Sequence, residues 1–197
     1  MDESDFDAIL IEAAFALGGD EGWARVTPAR AAKRAGLDLG MARARFTLPG
    51  GILRKFGELA DRHALAGALD EGPVRDRLFD TMMRRFDYLQ RHRAGVVALL
   101  KYLPRDPALA VLLARANLAS MGWLLEASGA QAGGISGALA AQGLLVVWAL
   151  GMRAWLRDES ADLTGTMAAV DTALNRADQI AARFGKAPGM AMGDAIA

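Results

Sequence analysis

Basic side chains are concentrated in one short part of a chain that is otherwise balanced in charge. The 197 residues include 23 Lys and Arg against 23 Asp and Glu, so the formal net charge is zero. Between residues 25 and 55 the only acidic residue is Asp38, and the basic residues are Arg25, Arg30, Lys33, Arg34, Arg43, Arg45, Arg54 and Lys55. Closely spaced cations of this kind suit phosphate contacts with nucleic acid. Charge alone also fits a solvated basic face on an ordinary helical bundle.

Large, soft apolar side chains recur through the C-terminal half and suit the walls of an adaptable apolar pocket. As a group they predict a cavity for a small apolar ligand. Each one taken singly is also compatible with ordinary core packing. The candidate ligand-binding residues are Met82, Met83, Phe86, Tyr102, Met121, Trp123, Leu124 and Trp148.

The residue types that catalysis or metal binding needs are sparse. The chain has no cysteine and two histidines, His63 and His92, neither with a second ligand at helical spacing. The sequence carries no phosphate-binding loop, no dinucleotide fingerprint and no nucleophile elbow. We therefore expect no enzyme, no cofactor and no metal site. The charged pairs at 84–85 and 158–159 are predicted to be solvated.

These candidate residues must be positioned by helices, because β-branched residues are scarce and good helix formers dominate. Apolar spacing and Gly or Pro punctuation predict an all-α fold of about nine helices. Gly18-Gly19 is expected to end the first helix, Thr27-Pro28 to begin the second, Gly36 to end it, and 49–51 to form a turn. The predicted helices span 4–17, 28–35, 39–45, 52–69, 73–92, 94–103, 105–128, 134–157 and 161–184.

The second and third helices, with the short turn at 36–38 between them, have the size of a helix-turn-helix. The order of residues around them resembles the N-terminal domain of the TetR family of bacterial transcription regulators over about 60 residues. The shared features are Ala13-Ala14, Gly22-Trp23, Val26-Thr27, Ala31-Ala32, Ala35-Gly36-Leu37, Phe46, Ile52-Leu53 and Phe56.

This resemblance implies a DNA-binding domain over 1–63 and a helical ligand-binding and dimerisation domain over 64–185, followed by a disordered tail over 186–197. It also implies a regulator, expected to be a repressor, that binds an operator in double-stranded DNA and responds to a small hydrophobic effector. Residues expected at the DNA are Thr27, Arg30, Leu39, Gly40, Met41, Arg43, Ala44, Arg45, Arg54 and Lys55.

The family resemblance further implies a homodimer formed through the last two helices. Small residues on the eighth helix would let a partner helix approach closely, and apolar neighbours would add buried area. The residues expected at this interface are Gly133, Gly137, Ala140, Ala141, Gly143, Leu144, Val147 and Trp148.

Two departures from the TetR pattern support an alternative. Arg43 stands where the family usually has an aromatic residue, and Pro49 stands where it usually has a phosphate-binding Lys. The segments 120–123 and 155–163, followed by Thr166-Met167, resemble the C-terminal part of COQ9-type proteins, which are TetR-fold relatives. That resemblance implies a lipid- or isoprenoid-binding accessory protein of ubiquinone biosynthesis with a vestigial helix-turn-helix.

The segment 127–152 contains no Asp, Glu, Lys or Arg and is long enough to cross a bilayer. Its first half is rich in glycine and glutamine, so a buried or interface helix is the better interpretation than a membrane span. The acidic N-terminus lacks the basic and apolar regions of a secretory signal. We therefore expect a cytoplasmic protein without stable membrane insertion.

Overall fold

The computed structural model describes residues 3–69, 71–130 and 133–185, and within these ranges the chain forms nine α-helices and no strand. The predicted all-α class is therefore confirmed. The predicted tail at 186–197 lies outside the described residues. The helices are α1 (Glu3–Glu21), α2 (Pro28–Ala35), α3 (Leu39–Arg45), α4 (Pro49–Leu65), α5 (Val74–Arg91), α6 (Arg93–Tyr102), α7 (Pro107–Ala127), α8 (Gly134–Trp155) and α9 (Thr164–Gly185).

Local capping explains why α2 and α3 form where the sequence predicts them. The Thr27 side chain accepts a hydrogen bond from the Arg30 amide at 3.2 Å, and Pro28 occupies the first turn. Gly36 ends α2 with a left-handed φ of 66°. The Asp38 carboxylate then accepts from the Met41 amide at 2.7 Å and begins α3. The turn between the two helices thus contains both the residue that ends α2 and the residue that caps the start of α3.

The prediction that Gly18-Gly19 ends α1 is wrong, because the helix continues to Glu21 and ends at Gly22, where φ is 88°. A Cβ on Gly18 would lie 2.6 Å from the Trp23 ring, and one on Gly19 would lie 2.9 Å from the Ala94 Cβ. These two glycines are therefore points of close packing rather than a helix stop.

The predicted turn at 49–51 is also wrong, since α4 begins at Pro49. Proline suits the first helical position because its missing N–H has no intrahelical partner there. The helix ends at Leu65 rather than at residue 69. Just after its end, the amide of Gly67 donates a hydrogen bond to the Leu65 carbonyl. The later helices match the predicted ones within about three residues at each end.

Helix α1 is the centre of the N-terminal packing, with α2 and α4 against it and α6 crossing it from the C-terminal part. The closest approach of α1 and α6 lies at Gly95, where an added Cβ would lie 2.3 Å from the carbonyl oxygen of Phe15. The C-terminal helices pack mainly as α8 on α9, α7 on α8, and α4 on both α5 and α7. One hydrophobic cluster runs through both parts, so the helix-turn-helix is fixed directly to the helices that follow.

By length and composition alone, two of the described helices, α7 and α8, could cross a membrane. Each also contributes to the core of the fold, α7 through Leu124 and Leu125 and α8 through Leu144, Val147 and Trp148. Since the core helices of soluble proteins pass the same test of length and composition, this is weak evidence for a membrane span.

Candidate DNA-binding surface and ligand cavities

Helix α3 presents one face to the core and another to solvent. Ala42 is 1% exposed and Phe46, just after the helix, is 4% exposed, so these two residues anchor it. The solvent-facing side includes every α3 residue expected at the groove, together with one arginine: Leu39, Gly40, Met41, Arg43 and Ala44. The fold therefore presents these five residues together on one short, accessible helix.

Most of the basic residues around this surface form ion pairs with acids outside the basic segment. Arg30 reaches Glu21 at 2.7 Å, and Arg25 reaches the same carboxylate at 3.5 Å. Arg34 pairs with Asp20 at 2.6 Å. The hydrogen bond from Arg30 outweighs the opposing effect of burial and lowers the pKa of Glu21. The end of α1 thus neutralises much of the charge on α2.

Arg45 is held by two acids of α1. Its Nε and Nη2 atoms donate to the Asp7 carboxylate at 2.6 and 2.8 Å, and Nη1 lies 2.8 Å from Glu3. Lys55 approaches Asp7 at 3.2 Å from α4. Burial acts to raise the pKa of Asp7, but the hydrogen bonds and charges of Arg45 and Lys55 outweigh it and hold that pKa below its usual value. The Arg45 head group therefore fastens α3 to α1, and this contact competes with the DNA contact expected of it.

The other cations differ in how free they are. Arg54 pairs with Glu58 one turn along α4, and Lys55 also reaches Glu58 at 3.4 Å. In the part of the chain that the structure describes, Arg43 and Lys33 have no ion pair, and both are exposed. Arg43 is therefore the α3 cation that remains available to a partner.

A wide groove of about 1020 Å³ lies between α4 and α7. Small apolar residues, including Gly57 and Ala116, form part of its lining. Trp123 also lines it, with 66% of its surface exposed. Both acidic and basic side chains line it, among them Glu58, Asp61, Arg54, Arg62 and Arg115.

A smaller cavity of about 380 Å³ lies on the inner side of α4, between that helix and α5, α6, α7 and α8. Gly57, Ala116 and Ser120 line both this cavity and the groove, so the two spaces are neighbours. The walls are mostly apolar, with residues such as Leu53, Phe56, Leu99, Trp148 and Met152. A cavity of this size and lining is within the range that holds a small ligand.

The residues expected to bind a ligand are spread over the core and both spaces. Trp148 lines the cavity and Trp123 lines the groove. Met83 and Tyr102 are half-buried against the core. The other four are fully buried in packing and line neither space, namely Met82, Phe86, Met121 and Leu124.

Sequence reasoning missed Arg85, which it treated as solvated charge. The side chain is 3% exposed and lines the 380 Å³ cavity, where its guanidinium lies 4.4 Å from the centre of the Trp148 ring. Burial lowers the pKa of Arg85, and the charge of Asp61 opposes that shift. The sequence feature that could have indicated the burial of Arg85 is its position directly before Phe86, on the apolar side of α5.

Two other residues of the two charged pairs are not simply solvated. Arg84 is half-buried and pairs with Asp80 at 2.8 Å. Asp158 accepts hydrogen bonds from Ser160 and Thr166.

The exposed face of α8 differs from the predicted dimer surface. Ala141, Leu144, Val147 and Trp148 are at most 8% exposed, because they pack into the core of their own protomer. A different stripe, spaced at helical intervals along the same helix, faces solvent: Ile135, Leu139, Val146 and Leu150. The prediction of those four core residues, and of the buried Gly137, at the interface is therefore wrong, although the helix does present an apolar face.

Within the described ranges, no group of three His, Cys, Asp or Glu could hold a metal ion. His92 lies between α5 and α6 in an aromatic cluster with the buried Phe15 and Phe56 and the half-buried Tyr88. Burial lowers the pKa of His92 and raises that of Tyr88 to about 12. The cluster joins α1 and α4 to the C-terminal helices, and Phe15 stacks on Phe56 with ring centres 3.9 Å apart.

Neither a protein-family model nor a curated protein matches the sequence. Solved structures do match the fold. A TetR transcriptional regulator from Nitrosomonas europaea superimposes with a TM-score of 0.70 at 18% identity, over 89% of this chain and 99% of that one. A TetR-family transcriptional regulator from Rhodococcus sp. gives 0.60 at 16% identity, over 86% and 99%. A transcriptional regulator from Rhodococcus sp. Rha1 gives 0.55 at 18% identity, over 88% and 96%. The fold is that of TetR-type regulators: an N-terminal helix-turn-helix followed by a C-terminal helical domain.

Proposed function

We propose that this protein is a TetR-family transcription regulator that binds double-stranded DNA through α3. The observation that carries this proposal is the exposed face of α3, with Arg43 unpaired among the described residues, in a fold shared with transcription regulators. A face with three apolar side chains, a glycine and one arginine can enter a major groove, where arginine reads guanine and apolar groups meet thymine methyls. The α2–α3 unit serves this purpose and no catalytic one.

The domain assignment and the contacting residues follow from this proposal. Residues 1–63 form the DNA-binding part and 64–185 the regulatory part. Thr27 and Arg30 lie at the start of α2, where phosphate contacts are common in helix-turn-helix proteins. Arg45, Lys55 and Arg54 contribute to the field around the surface. The head groups of Arg45 and Lys55 also hold α3 and α4 to α1 through Asp7, whereas Arg54 pairs within α4.

The regulator works as a homodimer in this proposal. A single helix-turn-helix reads only a half-site, so two copies are needed to recognise a two-part operator. The stripe from Ile135 to Leu150 on α8 leaves apolar side chains in water that a second copy would cover. We place the dimer interface on this stripe and the adjacent face of α9.

Control by a ligand follows from the position of α4. This helix follows α3 directly and supplies Leu53, Phe56 and Gly57 to the wall of the 380 Å³ cavity. Phe56 also stacks on Phe15 of α1. A ligand that displaces Phe56 would therefore shift α3. If the ligand binds more tightly to one position of α3 than to the other, its binding changes the affinity of the protein for DNA. The expected mode of regulation is repression that the ligand relieves. The protein is expected to act in the cytoplasm.

A second candidate function is that of a COQ9-type lipid-binding protein without DNA activity. The ion pairs that occupy Arg30, Arg34, Arg45 and Lys55 favour it, because they reduce the charge offered to phosphate. In that case the cavity and the groove, rather than α3, would be the working surfaces.

Selection from a random duplex pool distinguishes the two functions. The purified protein is incubated with the pool at moderate salt, and the bound duplexes are amplified and sequenced over several rounds. The proposal predicts enrichment of a sequence with two related half-sites about one helical turn apart or a multiple of it. A pool that stays random, together with lipid or quinone that co-purifies with the protein, would support the second function instead.

A further inference from the structure

A charged residue fully buried beside a cavity is costly to retain, and Arg85 is such a residue. Its side chain is 3% exposed within an otherwise apolar wall. Burial of a cation without adequate partners is strongly destabilising, so the groups around Arg85 indicate its role.

The partners of Arg85 leave part of its guanidinium unused. Its Nε lies 2.9 Å from an Asp61 oxygen, and its Nη2 makes a long contact of 3.4 Å with Ser120 Oγ. The Trp148 ring covers one face. Its Nη1 is buried and has no hydrogen-bond partner among the residues that the structure describes. The donors on Nη1 are therefore available for an acceptor that is not part of the described chain.

The cavity beside Arg85 has a one-sided charge. Among the residues that the structure describes, the charged ones that line it are Arg85 and, at the exposed side, Arg153, and no carboxylate does. Asp61, the ion-pair partner of Arg85, lines the outer groove instead. The remaining lining is almost entirely apolar, with Asn117 and Ser120 as the neutral polar exceptions. A ligand that matches this space has an apolar body and a single acidic group.

We propose that the 380 Å³ cavity binds an amphipathic carboxylic acid, whose carboxylate accepts hydrogen bonds from Arg85 while its apolar chain packs against Trp148, Leu99 and Met152. A carboxylate is preferred over a neutral acceptor because it adds charge–charge attraction to the hydrogen bond that the guanidinium donates, and its charge compensates the buried cation. This inference rests on the proposed function for its regulatory meaning, since the cavity is the one assigned to the effector.

The experiment compares acids and alcohols of equal chain length on the full chain after removal of bound lipid. Octanoate, decanoate and dodecanoate are titrated against the matching alcohols by calorimetry at neutral pH. We expect at least one acid to bind about tenfold or more tightly than its alcohol, because only the acid places a negative charge against the buried guanidinium. If every alcohol binds as tightly as its acid, or no acid binds, the proposal is overturned.

Two variants test whether Arg85 causes the preference. Arg85→Met is expected to abolish the difference between acid and alcohol while keeping alcohol binding. Arg84→Met is the matched control on the same helix, outside the cavity, and is expected to keep the wild-type preference. If Arg85→Met leaves Asp61 unpaired and fails to fold, Arg153→Met at the exposed side replaces it and is expected to reduce the preference severalfold. A preference unchanged in the folded cavity variant would contradict the proposal.

The failure of this inference is distinguishable from the failure of the proposed function. Acid binding is measured without DNA, and selection of duplexes is carried out without acid. An enriched operator with no acid preference would refute the ligand class alone. A strong acid preference with no enriched operator would refute the proposed DNA-binding function alone.

Discussion

The crossing of α1 and α6 joins the helix-turn-helix to the rest of the protein, and replacing Gly95 by alanine tests it. The new Cβ would lie 2.3 Å from the carbonyl oxygen of Phe15, and 2.8 and 2.9 Å from its carbonyl carbon and Cα. Ordinary contacts between carbon and a carbonyl oxygen are about 3.3 Å or longer. Since all three atoms are backbone, the helices must separate by about 1 Å rather than a side chain moving aside.

The expected magnitude combines two opposing effects. Overpacking costs about 1–3 kcal/mol, and replacing glycine by alanine in a helix interior gains up to about 1 kcal/mol. Gly95→Ala should therefore lower the free energy of unfolding by up to about 2 kcal/mol. With a urea slope of about 1–3 kcal/mol per molar, a loss of about 2 kcal/mol lowers the midpoint by about 0.7–2 M.

Gly122→Ala on α7 is the matched control, because nothing lies within 4 Å of a Cβ added there. This variant should be about 0.5–1 kcal/mol more stable than wild type, from helix propensity alone. Urea unfolding followed by circular dichroism measures both variants. Equal stability of Gly95→Ala and Gly122→Ala would refute the close crossing of α1 and α6.

Three further outcomes follow from the ion pairs and the α8 stripe. Arg45→Ala should lower the urea midpoint more than Arg43→Ala does, because Arg45, unlike Arg43, pairs with the buried Asp7. The lowered pKa of Asp7 contributes stability above the ordinary carboxylate range near pH 4. That contribution should disappear as pH falls through the folded-state pKa, and unfolding curves at decreasing pH should show a smaller loss in Arg45→Ala. Light scattering should give twice the 20.9 kDa chain mass for wild type, the single mass for Val146→Glu, and twice the mass for the control Val111→Glu on α7.

Features with local causes could be predicted from the sequence. Helices α2 and α3 occupy the predicted residues because their caps, Thr27, Gly36 and Asp38, act on amides within three residues or through their own backbone. The exposed face of α3 follows from the same local pattern around Ala42 and Phe46.

Features with distant causes could not be predicted in this way. Gly18-Gly19 looks like a helix stop until Trp23 is packed against Gly18 and α6 against Gly19. The basic segment looks strongly positive because its partners lie elsewhere: Asp7 is 38 residues from Arg45. Arg85 looks solvated beside Arg84 until Asp61 and Trp148 close over it. For Gly19, Arg45 and Arg85 the deciding partner is far along the chain, where spacing carries no signal.

The proposal that the exposed face of α3 reads DNA is tested by the affinity of Arg43→Ala for a selected duplex. Fluorescence anisotropy with the selected duplex and a scrambled one, over a salt series, gives the preference and its electrostatic part. Arg157→Ala, which removes an equally exposed arginine far along the chain, controls for the loss of one charge.

We predict that wild type and Arg157→Ala prefer the selected duplex. Arg43→Ala should lose about 1–3 kcal/mol of that preference, which is the usual contribution of an arginine to base discrimination. Equal affinity of the wild-type protein for both duplexes, or an Arg43→Ala variant that retains the full preference, would contradict the claim.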